Sequence, residues 1–226
     1  MATKVLGSYA EYLLFPERIA RLNLFLKPDH ISFEKACLLE PLACVAQGVA
    51  LLPLRPDSRV LIIGPGAIGL MFVAAIRQMG VEDVTLAGRN ERRLAAGEHL
   101  GAKTCKVDAI EKGERGYDIV IECTGQVEVW EKSIFYARRG GTVMLFGGCP
   151  GGTQASFDTK TLHYDQIALI SPFHFGTQAV RTAREWLLNP LFDLSEIITG
   201  ERALEEGEQV FTDLRNGAGL KFVFKP

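Results

Sequence analysis

The chain has 226 residues, 47% of them apolar and 23% charged, with a net charge of −2 and a mass of 24.8 kDa. That composition excludes disordered, collagen-like and coiled-coil proteins, and at roughly 100–200 residues per domain the length suits one domain, or one domain with a fragment. The near-neutral balance leaves no basic excess for a nucleic-acid backbone, and no uncharged stretch reaches the ~20 apolar residues of a membrane span.

Taken in chain order, the start (Met1 to Gly7) lacks the apolar core of a signal peptide, so a cytoplasmic location is expected. Residues 7–15 read as a strand ended by Pro16. Ser32 suits the cap of a short helix that stops before Pro41, and Pro41 suits the first turn of the next helix. From Val60 onward the apolar period switches repeatedly between strand and helix. Val60 to Ile63 is wholly apolar, as expected for a strand buried on both faces; Ala67 to Met79 follows as helix, and Asp83 to Ala87 as strand. Glu91 to Leu100 reads as helix stopped by Gly101, and Thr104 to Val107 as a third strand. Asp108 to Gly116 is short and charged and reads as a loop crossover. Asp118 to Cys123 is a fourth strand, Val127 to Arg138 a helix, Thr142 to Phe146 a fifth strand and Ile167 to Ile170 a sixth. Gln178 to Leu188 is an amphipathic helix, a further helix ends at Asn216-Gly217, and Leu220 to Phe224 is a last strand. Strand alternating with helix implies a doubly wound parallel α/β sheet with helices on both faces. The five cysteines are widely spaced with no C-x-x-C, and read as free buried thiols in a reducing compartment.

Gly64-Pro65-Gly66-Ala67-Ile68-Gly69 is a G-x-G-x-x-G between a buried strand and a helix. The first glycine permits the tight turn and the second lets a pyrophosphate approach the backbone. The third lets helix and strand pack closely, with the phosphates at the helix's positive end. The carboxylate that reads the ribose is expected about 20 residues on, yet the second strand ends in Gly88-Arg89-Asn90. Gly88 removes the charge that would repel a 2′-phosphate, and Arg89, with Arg92 and Arg93 nearby, can grip one. NADP(H) is therefore expected over NAD(H).

These residues, with Leu39-Glu-Pro-Leu-Ala-Cys44, Tyr117-Asp-Ile-Val-Ile-Glu-Cys-Thr-Gly125 and Gly140-Gly-Thr-Val-Met-Leu-Phe-Gly147, resemble the medium-chain dehydrogenase/reductase superfamily. The resemblance is closest to its zinc-type alcohol, sorbitol and threonine dehydrogenases and extends over nearly the whole chain. It implies a Rossmann domain at 46–187, flanked by remnants of a barrel-like catalytic domain at 1–45 and 188–226. It implies pyrophosphate contacts at Gly64, Gly66, Ala67, Ile68 and Gly69, and ribose contacts at Gly88, Arg89 and Arg93. Thr124 and Gly125 would line the adenosine and inner ribose, and Phe146, Gly147, Ser171 and Phe173 the nicotinamide. Glu40 and His174 are the candidate catalytic groups; His174 either faces substrate or is a loop histidine bonded to backbone.

The family's zinc is held by a Cys and a His-Glu pair in an N-terminal domain. Here no histidine is followed by Glu and no cysteines cluster. Zinc is implied for the family while its ligands are missing from this chain, and no metal residue is assigned. Glu40 with Cys37 and Cys44 approaches helical ligand spacing, but Pro41 interrupts it. The reading is an NAD(P)-dependent oxidoreductase acting on an alcohol or polyol. The alternative is a non-catalytic NADP(H)-binding module, or a subunit completed by a zinc-bearing chain. Short-chain dehydrogenase chemistry is excluded, since no tyrosine has Lys four residues later. The resemblance also implies a homodimer, with no nucleic-acid or membrane partner. Strands 7–15 and 220–224 are expected to lack their partners.

Overall fold

The computed structural model describes residues 9–111 and 116–225. Residues 9–15 form no strand; Tyr12 and Leu14 are 90% and 87% exposed, and 7–8 lie outside the described residues. Among the described residues no strand pairs with this stretch to complete a ladder, and an isolated strand is not stable. Pro16, at φ −58°, instead admits α1 (Glu17–Asn23). Ser32 caps α2 (Phe33–Ala36), its hydroxyl accepting from Lys35 N at 3.2 Å. α3 runs from Leu39 to Ala50 with Pro41 in its first turn.

The next elements alternate. They are β1 (Val60–Ile63), α4 (Ala67–Gln78), β2 (Val84–Gly88), α5 (Glu91–His99), β3 (Lys103–Lys106), α6 (Val107–Glu111) and β4 (Tyr117–Glu122). Then come α7 (Val127–Ser133), β5 (Ala137–Leu145), α8 (Thr159–Tyr164), β6 (Ala168–Ile170) and α9 (Thr177–Leu188). Six strands pair in parallel in the order β3-β2-β1-β4-β5-β6. This is the doubly wound Rossmann order, with its switch point between β1 and β4.

Two readings of this region change. The expected loop crossover contains α6, because Ile110 is buried and pins one turn against the sheet. The helix expected to reach Arg138 stops at Ser133, where Ile134 and Tyr136 turn into the core and β5 starts at Ala137.

All four residues of β1 are buried, as a strand covered on both faces requires. On one face Leu61, Ile63, Val120, Val143 and Leu145 pack with Ile110, Ile134 and Tyr136. On the other, α4 is buried from Gly69 to Ile76. α3 joins that face closely enough that a Cβ on Gly48 would lie 3.0 Å from Phe72 Cζ and 3.3 Å from Met144 Sδ.

After α9 come β7 (Ile198–Ala203), α10 (Gly207–Arg215) and β8 (Lys221–Lys225). β8 pairs in parallel with β7, so the C-terminal strand does have a partner. The expectation failed because β7, alternating half-buried and exposed through Thr199-Gly-Glu-Arg, carries no apolar run to mark it. By its internal contacts the chain divides into residues 38–194 and a second unit built from both ends, 9–37 and 195–225. Within the latter, Tyr9 meets Phe211 and Phe224 edge-on at 5.9 and 5.2 Å. Lys225 bridges Glu34 at 2.9 Å and Glu201 at 2.6 Å, and that hydrogen bond from Lys225 holds the Glu34 carboxyl down at about 2.

All five cysteines are free; Cys37 is exposed and the rest are partly covered rather than buried outright. Among the described residues, no helix is long and apolar enough to cross a membrane.

Candidate functional site

The turn from β1 into α4 is a fixed piece of backbone. Gly64 has φ +110°, a conformation L side chains rarely adopt, and its N–H donates to Ala87 O at 2.9 Å, clamping the turn to the end of β2. Gly66 caps α4, and a Cβ there would meet nothing within 4 Å. No side chain among the described residues caps this helix, so the first-turn amides, those of Ala67 and Ile68 included, have no side-chain acceptor. Gly69, one turn in, is buried directly behind the loop.

A cleft of about 340 Å³ opens in front of the turn. Gly64, Pro65 and Gly66 form one side, Gly88, Arg89 and Arg93 the end, and Thr124, Gln126 and Val129 the facing wall. Asn90 caps α5, its Oδ1 accepting from Arg93 N at 3.1 Å, which seats Arg93 in the first helical turn. The carbonyl of Arg89 is held by Lys106 Nζ at 3.2 Å, while Arg89 itself is exposed. Lys106 also pairs with Glu91 at 2.9 Å and draws that carboxyl below its ordinary range.

Behind Thr124 and Gly125 sits Glu122, fully buried at the end of β4. Its carboxylate accepts from Thr124 N at 2.5 Å, from Thr124 Oγ1, and from Gly125 N at 3.2 Å. Burial pushes the Glu122 carboxyl above its usual 4.5 despite these bonds. Gly125 and Gly147 meet backbone to backbone: a Cβ on Gly147 would lie 2.3 Å from Gly125 N. Trp130 Nε1 donates to Gly147 O at 2.9 Å and closes the same contact.

The remaining candidates lie along the ends of β5 and β6. Phe146 packs edge-on against Phe72 at 4.9 Å, and Ser171 Oγ donates to Leu145 O at 3.0 Å. Phe173 is 86% exposed. A second cavity of about 390 Å³ is lined by Gln47, Leu51, Phe173, His174, Phe175 and Gly176. His174 has φ +59°, unusual for a non-glycine, and its ring lies 4.1 Å from that of Phe173. Of the candidates, Gly64, Gly66, Gly88, Arg89, Arg93 and Thr124 share the first cavity and Phe173 and His174 the second, while Ala67, Ile68, Gly69, Gly125, Phe146, Gly147 and Ser171 line neither. Glu40, exposed in the first turn of α3, lines neither.

Sequence reasoning did not single out Pro65, Glu122 or Gln47. Pro65 acts on Gly88, which only the fold brings close, and Glu122 on Thr124 and Gly125, which the turn after β4 folds back onto its carboxylate. Gln47 accepts from Gly176 N at 3.4 Å and had a signal, since it falls with Glu40 and Cys44 on one helical face at i, i+4, i+7.

The 3-2-1-4-5-6 sheet, with a glycine turn entering a helix and a cleft at the switch point, is the fold of the dinucleotide-binding α/β proteins. More particularly, the chain belongs to the zinc-binding dehydrogenase family, whose model matches residues 67–189, more than half of it. It is similar to D-arabinitol dehydrogenase 1 of Uromyces fabae, at 25% identity over 97% of this chain and 65% of that protein. A zinc-binding dehydrogenase of Sinorhizobium meliloti 1021, solved bound to NADP, superimposes with a TM-score of 0.84 at 26% identity, covering 89% of this chain and 62% of that one. Alcohol dehydrogenase TADH from Thermus sp. ATN1 shares the fold at a TM-score of 0.88 and 21% identity, over 97% of this chain and 67% of that one. The chain spans 65% and 62% of the length of the first two curated relatives it matches.

The donors at hand do not fit a catalytic zinc. Such a site takes three protein ligands, and among the described residues no three His, Cys, Asp or Glu side chains gather. Cys44 Sγ lies 3.7 Å from Glu40 Oε1 as its hydrogen-bond donor, and burial, then the Glu40 charge, push that thiol up to about 11. Cys37 stands outside α3 altogether.

Proposed function

We propose that this chain is the cofactor-holding part of an oxidoreductase that moves a hydride between NADP(H) and an alcohol or polyol. The observation that carries the reading is the end of the cleft, where Gly88 stands in place of a ribose-reading carboxylate and Arg89 stands beside it. The similarity to a dehydrogenase solved with NADP supports it. The bound nicotinamide supplies the hydride donor or acceptor.

The chain's own residues bind and orient. Gly64, Gly66, Ala67 and Ile68 offer backbone to the diphosphate at the N-terminus of α4, with Gly69 letting helix and loop close up. Arg89 and Arg93 grip the 2′-phosphate, since a planar guanidinium makes paired charge-assisted bonds to it. Thr124 and Gly125 form the shelf for adenosine and inner ribose; Phe146, Gly147, Ser171 and Phe173 line the nicotinamide. His174 and Glu40 are the candidate catalytic groups on the substrate side, and the strained backbone of His174 supports that place for it.

Fluorescence titration tests the cofactor. NADPH binds more tightly than NADH, and Arg89→Ala weakens NADPH about tenfold, the loss of one exposed charge-assisted contact, while changing NADH by less than about threefold. An intact protein that prefers NADH, with no response to Arg89→Ala, sinks the reading. Because the donor set falls short of zinc, a second reading is an NADP(H)-binding subunit that turns over only when a zinc-bearing chain completes it. Turnover of an alcohol and polyol panel by this chain, with and without zinc, separates the two.

We also infer a cytoplasmic homodimer joined along β6, one of the two outer strands of the sheet, whose residues are only half-buried or exposed. Light scattering then gives twice the 24.8 kDa chain mass. A monodisperse monomer counts against it.

A further inference from the structure

We propose that Pro65 is a specificity-determining residue: its ring occupies the space any side chain at position 88 needs, and so commits the adenosine end of the cleft to a 2′-phosphate. The proposal rests on the NADP(H) reading above and goes beyond it, because it names what keeps the carboxylate out.

A Cβ built on Gly88 would lie 2.3 Å from Pro65 Cγ, 2.4 Å from Cδ and 3.4 Å from Cβ. The first two are far inside van der Waals contact, and a pyrrolidine ring cannot swing aside as the end of a long side chain can. The backbones cannot part either. Gly64 N donates to Ala87 O at 2.9 Å, so the residue before Pro65 is bonded to the residue before Gly88. On the other side β2 is registered against β3, with Gly88 opposite Lys106. Position 88 is therefore held between a paired strand and a clamped loop, and the only tenant that fits is hydrogen.

The consequence is a coupling between two positions far apart in sequence. With proline at 65, an Asp or Glu at 88 has no room, and the end of the cleft is left to Arg89 and Arg93. With a smaller residue at 65, a carboxylate at 88 can reach the ribose hydroxyls and repel a 2′-phosphate. The residue beside the pyrophosphate thus sets which adenosine ribose is read.

The test has one arm that needs no nucleotide. Thermal melts compare wild type, Pro65→Ala, Gly88→Ala and Pro65→Ala/Gly88→Ala. Gly88→Ala lowers Tm by about 3 °C or more through overpacking, and the same change made on Pro65→Ala has less than half that effect. Losses that simply add overturn the proposal, as does a double variant that fails to fold. A Gly88→Ala protein that fails to fold, while the double variant folds, supports it.

The second arm measures NADPH and NADH affinity in Gly88→Asp and Pro65→Ala/Gly88→Asp. Gly88→Asp alone loses both nucleotides, and the double variant shifts the NADH-to-NADPH preference by at least about tenfold toward NADH, the scale of one charged hydrogen bond. If Gly88→Asp takes NADH as well as the double variant does, the ring is no barrier and the proposal fails. A wild type that does not prefer NADPH overturns the cofactor reading itself, and that outcome is visible before any variant is made.

Discussion

Replacing Gly69 by alanine is expected to cost about 3 kcal/mol or more of stability and to lower Tm by on the order of 10 °C. A Cβ at this position would stand 2.0 Å from the carbonyl oxygen of Gly64 and 3.2 Å from its carbon. Both atoms belong to backbone that is already fixed: Gly64 is bonded to Ala87 and turned at φ +110°. Relief requires α4 to move away from β1, and α4 is buried from Gly69 to Ile76, so the shift opens the core on that face. Gly66→Ala is the control that separates fold from site. Nothing lies within 4 Å of a methyl group there, and its φ of −84° suits any residue. That variant is expected to melt within about 1 °C of wild type, as surface changes usually do, while binding NADPH at least about tenfold more weakly. Urea and thermal melts beside nucleotide titration check both. A Gly69→Ala protein as stable as Gly66→Ala would remove the steric account.

Glu122 gives the second large effect. Alanine there leaves Thr124 N–H, Thr124 O–H and Gly125 N–H without their acceptor, and a loss of about 3 kcal/mol is expected. Glutamine is nearly isosteric, keeps one acceptor oxygen and carries no charge, so it is expected to fold with little loss. The two carboxyl oxygens are unequal: Oε1 takes both Thr124 bonds, while Gly125 N reaches Oε1 at 3.2 Å and Oε2 at 3.3 Å. The sign of the pH effect follows from the raised pKa. Burial favours the protonated form in the fold, so the folded state binds more protons than the unfolded one above pH 4.5. The stability this group contributes is complete below that value and is lost as pH rises through the folded pKa. Glu122→Gln lacks this dependence. Measured by urea denaturation, the difference between Glu122→Gln and wild type therefore moves in the variant's favour on going from acid to neutral pH. A constant difference, or one moving the other way, rules the account out.

The middle of the sheet was legible in the sequence because its central strands are buried on both faces and so become short apolar runs, as at Val60–Ile63 before Gly64. Elements that bury only one side were less visible. β7 keeps only alternate residues half-buried, and α8 announces itself by little more than the Asp158 cap, whose Oδ1 accepts from Thr161 N at 2.6 Å. Residues 9–15 went the other way. Their apolar content resembles a strand, but a strand is a property of two segments, and no strand pairs with them among the described residues. At the site the glycine turn and the Gly88-Arg89 end were readable from spacing alone. Pro65 and Glu122 were not: Gly88 comes beside Pro65 only across the strands of the fold, and Glu122 reads as one more strand residue until the turn sets Thr124 and Gly125 over its carboxylate.

The order of the strands in space differs from their order of synthesis. β1 is made first and lies in the middle, its Val60 paired with Val84 on one side and with Ile119 on the other. At ~5–20 residues per second, several seconds pass between the appearance of β1 and that of β4. During that interval β2 can cover only one side of β1, and the nascent chain presents an uncharged apolar strand with an open edge. Ribosome-bound chains halted before residue 117 are therefore expected to carry a sticky template, and chains long enough to expose β4 to have sealed it.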